Sequence, residues 1–170
     1  MNLDAVNNDG NTISLEEEIN RIELYLSLES MRFKDQFKYT IEVTNVDTDS
    51  FEIPAMLLQP FVENSIIHGI LPNEQREGVI NIKIERIEDC LHILIIDNGI
   101  GVKHSMSKKG SFDGDHRSQG LEITSKRIEL IKKLSDFDIT LQGPEEIYGP
   151  NRSVNGTRVS IKMKMIDFDN

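Results

Sequence analysis

One cysteine in 170 residues, Cys90, leaves no partner for an internal disulfide and fits a reducing compartment. It borders an apolar run and reads as buried filler, not as a reactive thiol. No stretch approaches the ~20 apolar residues of a membrane span, and no signal-peptide pattern opens the chain. Any membrane anchor is therefore expected in another part of a longer parent, with no membrane contact by this piece. Basic charge is also scarce: 19 Lys and Arg stand against 29 Asp and Glu, a formal net charge of −10. That balance argues against a nucleic-acid surface, whose phosphates must be neutralised by Lys and Arg. It leaves room for a single nucleotide, which needs only a few local cations and a metal. The rest is ordinary for a soluble globular protein, at 38% hydrophobic and 28% charged residues. The length suits one domain with a proper core.

The most informative segment is Leu58 to Ile70, LQPFVENSIIHGI. At about 100° per residue, a helix here places Glu63, Asn64 and His68 within roughly 140° of arc. Leu58, Phe61, Val62, Ser65 and Ile66 fill most of the remainder and face a core. Pro54 is placed to open this helix, where its missing N–H costs little, and Pro60, further in, is expected to bend it. A Glu-Asn pair on a buried helix is costly without partners; a magnesium ion with phosphate oxygens would supply them.

A second segment, CLHILII from Cys90 to Ile96, is an apolar run bounded by charge, the pattern of a buried strand. It ends in Asp97-Asn98-Gly99-Ile100-Gly101. A carboxylate closing a buried strand can accept a hydrogen bond from an exocyclic amine such as that of adenine. Gly99 and Gly101 allow backbone to approach a ligand. A third segment, SQGLEITSKRIELI from Ser118, puts Gly120 at the start of an amphipathic helix whose free N–H groups suit phosphate. A fourth, NGTRVSI from Asn155, is a turn feeding an alternating strand.

Along the chain, residues 1–13 are polar and read as a disordered segment. Ser14 and Glu17 form a capping box that opens a linker helix over 14–35. Leu15, Ile19, Ile22, Leu26 and Phe33 recur along it at heptad-like spacing, interrupted by Glu29. The helix either packs on its own domain or forms half of a dimer through Leu15–Phe33. The spacing predicts strands at Phe37–Val46, Val79–Arg86 and Leu91–Ile96, the last two a hairpin turning at Glu88-Asp89. It also predicts a helix near Gln119–Leu134 and strands at Asp138–Gln142 and Thr157–Met165, with a Gly-Pro-rich loop to Pro150 between them. Val102 to Arg117, poor in apolar residues, reads as a mobile loop. The expected fold is α+β: a two-layer α/β sandwich with a mixed sheet of about five strands and about three helices on one face. The main domain is expected over 36–165, with a tail at 166–170.

Each of these signals is modest alone. Their order (Glu-Asn helix, strand, Asp-x-Gly-x-Gly, glycine-opened helix, Gly-Thr before a strand) resembles the ATP-binding domain of the GHKL superfamily of gyrases, heat-shock chaperones, histidine kinases and mismatch-repair ATPases. The wording LQPFVENSIIHG, with SLEEEINRIELYLSLESMRF upstream, is similar to the LytS/YehU-type sensor histidine kinases. The resemblance runs from about Ser14 to Met165.

That resemblance implies a Bergerat-type ATP site with ATP and magnesium as cofactors. Asn64 would contact magnesium and bridge the phosphates. Glu63 would be a base or would order water and metal. His68 would reach the phosphates. Asp97 would read adenine, with Gly99 and Gly101 allowing close approach. Gly120 and Leu121 would open the helix at the phosphates, and Thr157, with Gly156, would lie against the adenine pocket. Residues 102–118 would be a lid over ATP, and Lys108, Lys109 and Arg117 are its candidate phosphate contacts. Ser118-Gln119 depart from the commoner G-x-G-L pattern and imply a stiffer hinge. Arg32 and Arg127 match family positions whose chemistry does not follow from spacing.

The implied reaction is transfer of the ATP γ-phosphoryl group to a histidine in an acceptor helix that this chain lacks. His68, His92, His104 and His116 do not replace it. Expected partners are that helix in the parent protein and a response regulator. The setting is a bacterial cytoplasm, with the parent anchored in the inner membrane. Two other classes use similar boxes: an anti-sigma-factor-type serine kinase and a non-catalytic nucleotide-binding switch. A gyrase- or chaperone-type ATPase needs further domains.

Overall fold

A computed structural model describes residues 12–102, 125–133 and 137–164. In chain order these form β1 (Thr12–Ser14), α1 (Leu15–Arg32), β2 (Phe37–Thr44), β3 (Glu52–Pro54) and α2 (Gln59–Asn64). A π-helical stretch, Ser65–Ile70, continues α2 without a break. Then come β4 (Gly78–Ile87), β5 (Cys90–Asp97), α3 (125–133), β6 (Ile139–Tyr148) and β7 (Val154–Lys164).

Alternation builds the main sheet. Ile80, Ile82 and Ile84 of β4 and Leu91, Ile93 and Ile95 of β5 point to one face and are all but completely buried. Their partners in period, such as Lys83, Glu85 and His92, point to the other face, which carries more exposed polar groups. The strands lie in the order β2-β4-β5-β7-β6. β2 runs parallel to β4 and all other neighbours are antiparallel, so the sheet is mixed, as expected. The hairpin turns at Glu88, which adopts a left-handed φ of 55°. Helix residues Leu58, Phe61, Val62, Ile66 and Ile128 join the inward strand residues in one core. Cys90, read as buried filler, is half-buried at the start of β5.

The capping box forms: the Glu17 N–H donates to Ser14 Oγ at 3.1 Å. The heptad-like residues of α1 are consumed by its own domain, since Leu15, Ile22 and Leu26 are fully buried and Ile19 and Phe33 pack against the core. That is the packed-helix alternative of the two the spacing left open. A second stripe, Leu24, Leu28 and Met31, is exposed.

Several boundaries differ from the sequence-based expectation: β2 stops at Thr44, and β7 begins at Val154, so that Asn155 and Gly156, read as a turn, are already strand. Thr12 and Ile13 belong to a short ribbon, pairing with Pro54 and Ile53 of β3. Pro54 therefore ends a strand and does not open the helix. A residue before proline favours extended backbone, and Ile53 takes that option. Helix α2 begins at Gln59 with Pro60 in its first turn, where the ring is tolerated. Finally, β6 extends through the Gly143-Pro144 peptide to Tyr148 by means of a register shift between Gln142 and Glu145. A proline is admissible on this edge strand, so the expected loop to Pro150 shrinks to the turn before Val154.

Candidate functional site

Asp97 closes β5 with a carboxylate that is only 2% exposed. Antiparallel pairing of β5 with β7 sets Thr157 directly opposite it. The Thr157 hydroxyl donates to Asp97 Oδ2, and the Gly99 N–H donates to Oδ1 at 2.9 Å. Burial pushes the Asp97 carboxyl above the usual carboxylate range. The hydroxyls of Thr157 and Ser65 and the backbone N–H groups of Gly99 and Thr157 pull the other way without cancelling it.

The helix meets this corner backbone to backbone. The Ile100 N–H donates to the Gly69 carbonyl at 3.0 Å. A Cβ on Gly99 would lie 2.3 Å from the Gly69 carbonyl carbon, so the close approach that Gly99 permits here is to the helix. A Cβ on Gly69 would stand 3.0 Å from Asp97 Oδ1. Gly101 follows with φ +87°, packed against Val154. Gly156, beside Thr157, has φ +137°, and a Cβ there would fall 1.8 Å from the Asp97 carbonyl oxygen.

The flanks are tied as well. Asn98 accepts the Val79 N–H at 2.7 Å and donates to the Glu77 carbonyl at 3.0 Å. Arg76 donates to the carbonyls of both Asn98 and Asn155 and to the Asn155 side chain. It thereby clasps the residues on either side of the Asp97–Thr157 pair.

Along α2 the picture changes. Asn64 and His68 are half-buried, and the Asn64 amide nitrogen has no hydrogen-bond partner among the described residues. Glu63 accepts from Gln59 Nε2 at 3.0 Å, one turn earlier. It also stands near Tyr25 of α1, whose phenol is pushed up to about 12, by burial first and then by the carboxylates of Glu29 and Glu63. Arg32 pairs with Glu29 at 3.6 Å, and Arg127 donates to the Ala55 carbonyl at 3.3 Å. Gly120, Leu121, Lys108, Lys109, Arg117 and nearly all of the expected lid lie outside the described residues.

Sequence reasoning placed Asp97, Gly99 and Thr157 and missed Ser65, Gly69 and Arg76. Ser65 and Gly69 did carry a signal. They are one turn apart, small residues on a face otherwise made of Phe, Val and Ile, and a helical glycine costs about 1 kcal/mol. Something must sit close to that face. Arg76 carried none, because its partners Asn98 and Asn155 are distant in sequence.

No protein-family model matches the chain. The sensor protein LytS of Oceanobacillus iheyensis is 30% identical over 128 residues, covering 73% of this chain and 22% of that protein. The sensor protein kinase HptS of Staphylococcus aureus strain USA300 is 35% identical over 101 residues, 59% of this chain and 19% of its own length. The solved catalytic domain of the histidine kinase ThkA superposes with a TM-score of 0.54 over 90% of this chain and 93% of that one, at 15% identity. The chain belongs to the LytS-type sensor-kinase catalytic domains. ThkA has also been solved in complex with the response regulator protein TrrA, with a TM-score of 0.53 to this chain. As a LytS-type catalytic domain, the chain spans about a fifth of the length of the curated relatives it matches, 22% and 19%. No helix among the described residues is long and apolar enough to cross a membrane.

Proposed function

We propose that this domain binds ATP with magnesium and presents the γ-phosphoryl group to a histidine carried outside the chain, in a LytS-type sensor histidine kinase. The observation that carries the reading is the Asp97 corner. A carboxylate offers about four lone-pair sites; Gly99 and the Thr157 hydroxyl donate directly, and the Ser65 hydroxyl and Thr157 N–H also act on it, so an incoming donor would share or displace one of the weaker of these. An adenine amine is a donor of the right kind. Thr157 and Gly99 hold the acceptor in place before ligand arrives, which lowers the cost of binding.

On the phosphate side, the residues fit magnesium in a limited sense. Among the described residues no three His, Cys, Asp or Glu side chains converge on one point. An ion here would be held by one or two protein groups together with phosphate oxygens and water, which is how magnesium is commonly bound beside nucleotides. Asn64 would contact the ion through its side-chain oxygen, and its unpartnered amide nitrogen would donate to a phosphate oxygen. When bound, the metal would spread the charge that develops on the transferred group. Asn64 would orient the phosphates, and Glu63, held by Gln59, would order water or metal. His68, one turn beyond Asn64, would reach the phosphates. Gly120, Leu121 and the lid around Lys108, Lys109 and Arg117 would complete the site.

The partners follow from the LytS-type relatives, of whose length this chain spans about a fifth. The acceptor histidine and its helix belong to the parent protein, which we place in a bacterial inner membrane with this domain on the cytoplasmic side. A response regulator then receives the phosphoryl group. The exposed stripe Leu24, Leu28 and Met31 is the face of α1 available to the acceptor helix or to a second subunit.

The test is calorimetric titration of a non-hydrolysable ATP analogue with and without magnesium, on the wild-type chain, Asp97→Asn and Asn64→Ala. Metal-dependent binding that Asp97→Asn removes is expected. No binding by the wild-type chain would sink the reading for this domain alone. The 170-residue chain is expected not to label itself, so acid-labile phosphate on it would contradict the external acceptor. Acid-stable phosphate on a partner would instead point to a serine kinase.

A further inference from the structure

Helix α2 carries Glu63 and Asn64, yet it has no cap of its own. Its first turn holds no acidic residue, and the side chain at its head, Leu58, makes no capping bond. The opening N–H groups of a helix need acceptors from elsewhere. They find one 40 residues upstream in the sequence, on a different helix. Glu18 of α1 is a carboxylate only 1% exposed. Its Oε1 accepts from the Leu58 N–H at 3.1 Å and its Oε2 from the Met56 N–H at 3.3 Å.

A buried carboxylate is costly unless its oxygens are paired, and negative charge is favoured at a helix N-terminus. Glu18 satisfies both conditions at this one place. The segment it holds is also out of the ordinary: Met56 is a non-glycine residue with φ 61°, a conformation its surroundings must enforce. Further along α1, Tyr25 lies within electrostatic reach of Glu63. Helix α1 therefore meets the site helix at its head and again beside its carboxylate.

Building on the nucleotide reading above, we infer that Glu18 is a positioning residue: by seating the head of α2 it sets where Asn64 stands against the nucleotide phosphates. The hydrogen bonds are already 3.1 and 3.3 Å long. Sliding α1 by one residue rise, about 1.5 Å, takes at least one of them beyond hydrogen-bond range. A displacement of α1 is thus transmitted to the site helix through one carboxylate.

The experiment uses the whole chain with Glu18→Gln and Glu18→Ala. Glutamine keeps the shape and one acceptor oxygen but turns an NH2 toward the second N–H, so it tests the role even where alanine fails to fold. Amide hydrogen exchange is read across Met56–Asn64 and, for reference, across β4 and β5. Affinity for the magnesium–ATP analogue is read in parallel, with Asn64→Ala in both backgrounds. The expected result is exchange in α2 faster by about tenfold relative to the sheet and affinity lower by about tenfold, the worth of one hydrogen bond to a charged group. Asn64→Ala should then cost less in the Glu18→Gln background than in the wild type, because the two act through one element. A lower melting temperature with unchanged α2 exchange and unchanged affinity would overturn the inference and leave Glu18 a stabilising residue only. Should the wild-type chain bind no nucleotide, the nucleotide reading fails on its own, and the inference that Glu18 sets Asn64 against phosphates falls with it. The α2 exchange then still decides whether Glu18 seats the helix.

Discussion

The two ends of the candidate site are built differently. At the adenine end, Asp97 is buried, hydrogen-bonded by Gly99 and Thr157, backed by the Gly69 backbone, and flanked by Asn98 and Asn155, which Arg76 ties together. Along the phosphate-facing side of α2, Asn64 is half-buried with an amide nitrogen that no described residue satisfies. The first end is held in place by the protein alone before any ligand arrives. The second leaves hydrogen-bonding capacity for what arrives from solution. A buried acceptor must be paired in the free protein or its desolvation goes uncompensated; the Asn64 amide nitrogen, itself out of water and unpaired, carries that cost until a ligand oxygen reaches it. Selectivity for the base can therefore be preorganised, and the phosphate side can stay adaptable.

This contrast can be broken most severely at Gly156. A Cβ there would sit 1.8 Å from the Asp97 carbonyl oxygen, on backbone with φ +137°, so Gly156→Ala forces β5 and β7 apart at their ends. A loss of about 4 kcal/mol or more is expected, read by urea unfolding. A loss below about 1 kcal/mol would show that the corner is softer than it looks.

A more selective challenge uses pH. Because burial raises the Asp97 carboxyl, its contribution to stability is fully present below the usual carboxylate range and is lost as pH rises through the raised value. Nucleotide binding has the opposite sign, since the adenine amine needs the ionised acceptor. Relative to Asp97→Asn, the wild-type chain should lose thermal stability and gain ATP-analogue affinity over the same rising pH window. Parallel changes of one sign in both would remove Asp97 from the base-reading role.

The smallest effect on stability is expected at Asn64. Its amide nitrogen has no partner to lose, so Asn64→Ala should shift unfolding by under about 1 kcal/mol while removing the magnesium dependence of binding. Large destabilisation would mean that the amide is a structural group and that the second end is held in place by the protein like the first.

Much of this was legible from local pattern. The alternation in β4 and β5 gave the hairpin, because one buried face imposes a two-residue period on any strand. The carboxylate after CLHILII stood out, because an apolar run that ends in Asp calls for a partner at its end. Other features left no local trace. The ribbon of Thr12–Ser14 with Glu52–Pro54 is too short to show a period. It displaced the helix start from Pro54 to Gln59, since backbone already paired in a ribbon cannot also open a helix. The strand through Gly143-Pro144 reads as a loop because its residues are turn formers, and only pairing with β7 keeps it extended.

The amino-acid order alone determined that there is one mixed α/β unit, which helix faces core on one side and carries Glu63, Asn64 and His68 on the other, and that Asp97 ends a buried strand. Only the tertiary structure decided that Thr157 stands opposite Asp97, that Gly69 and Gly99 touch backbone to backbone, that the heptad-like face of α1 is spent on its own core, and that Glu18 caps a helix 40 residues away. The division has a physical cause. Periodicity records which side of an element leaves water, a property each segment carries by itself. Which distant group then fills a hydrogen bond is settled by strand order and register, and these depend on the whole chain at once.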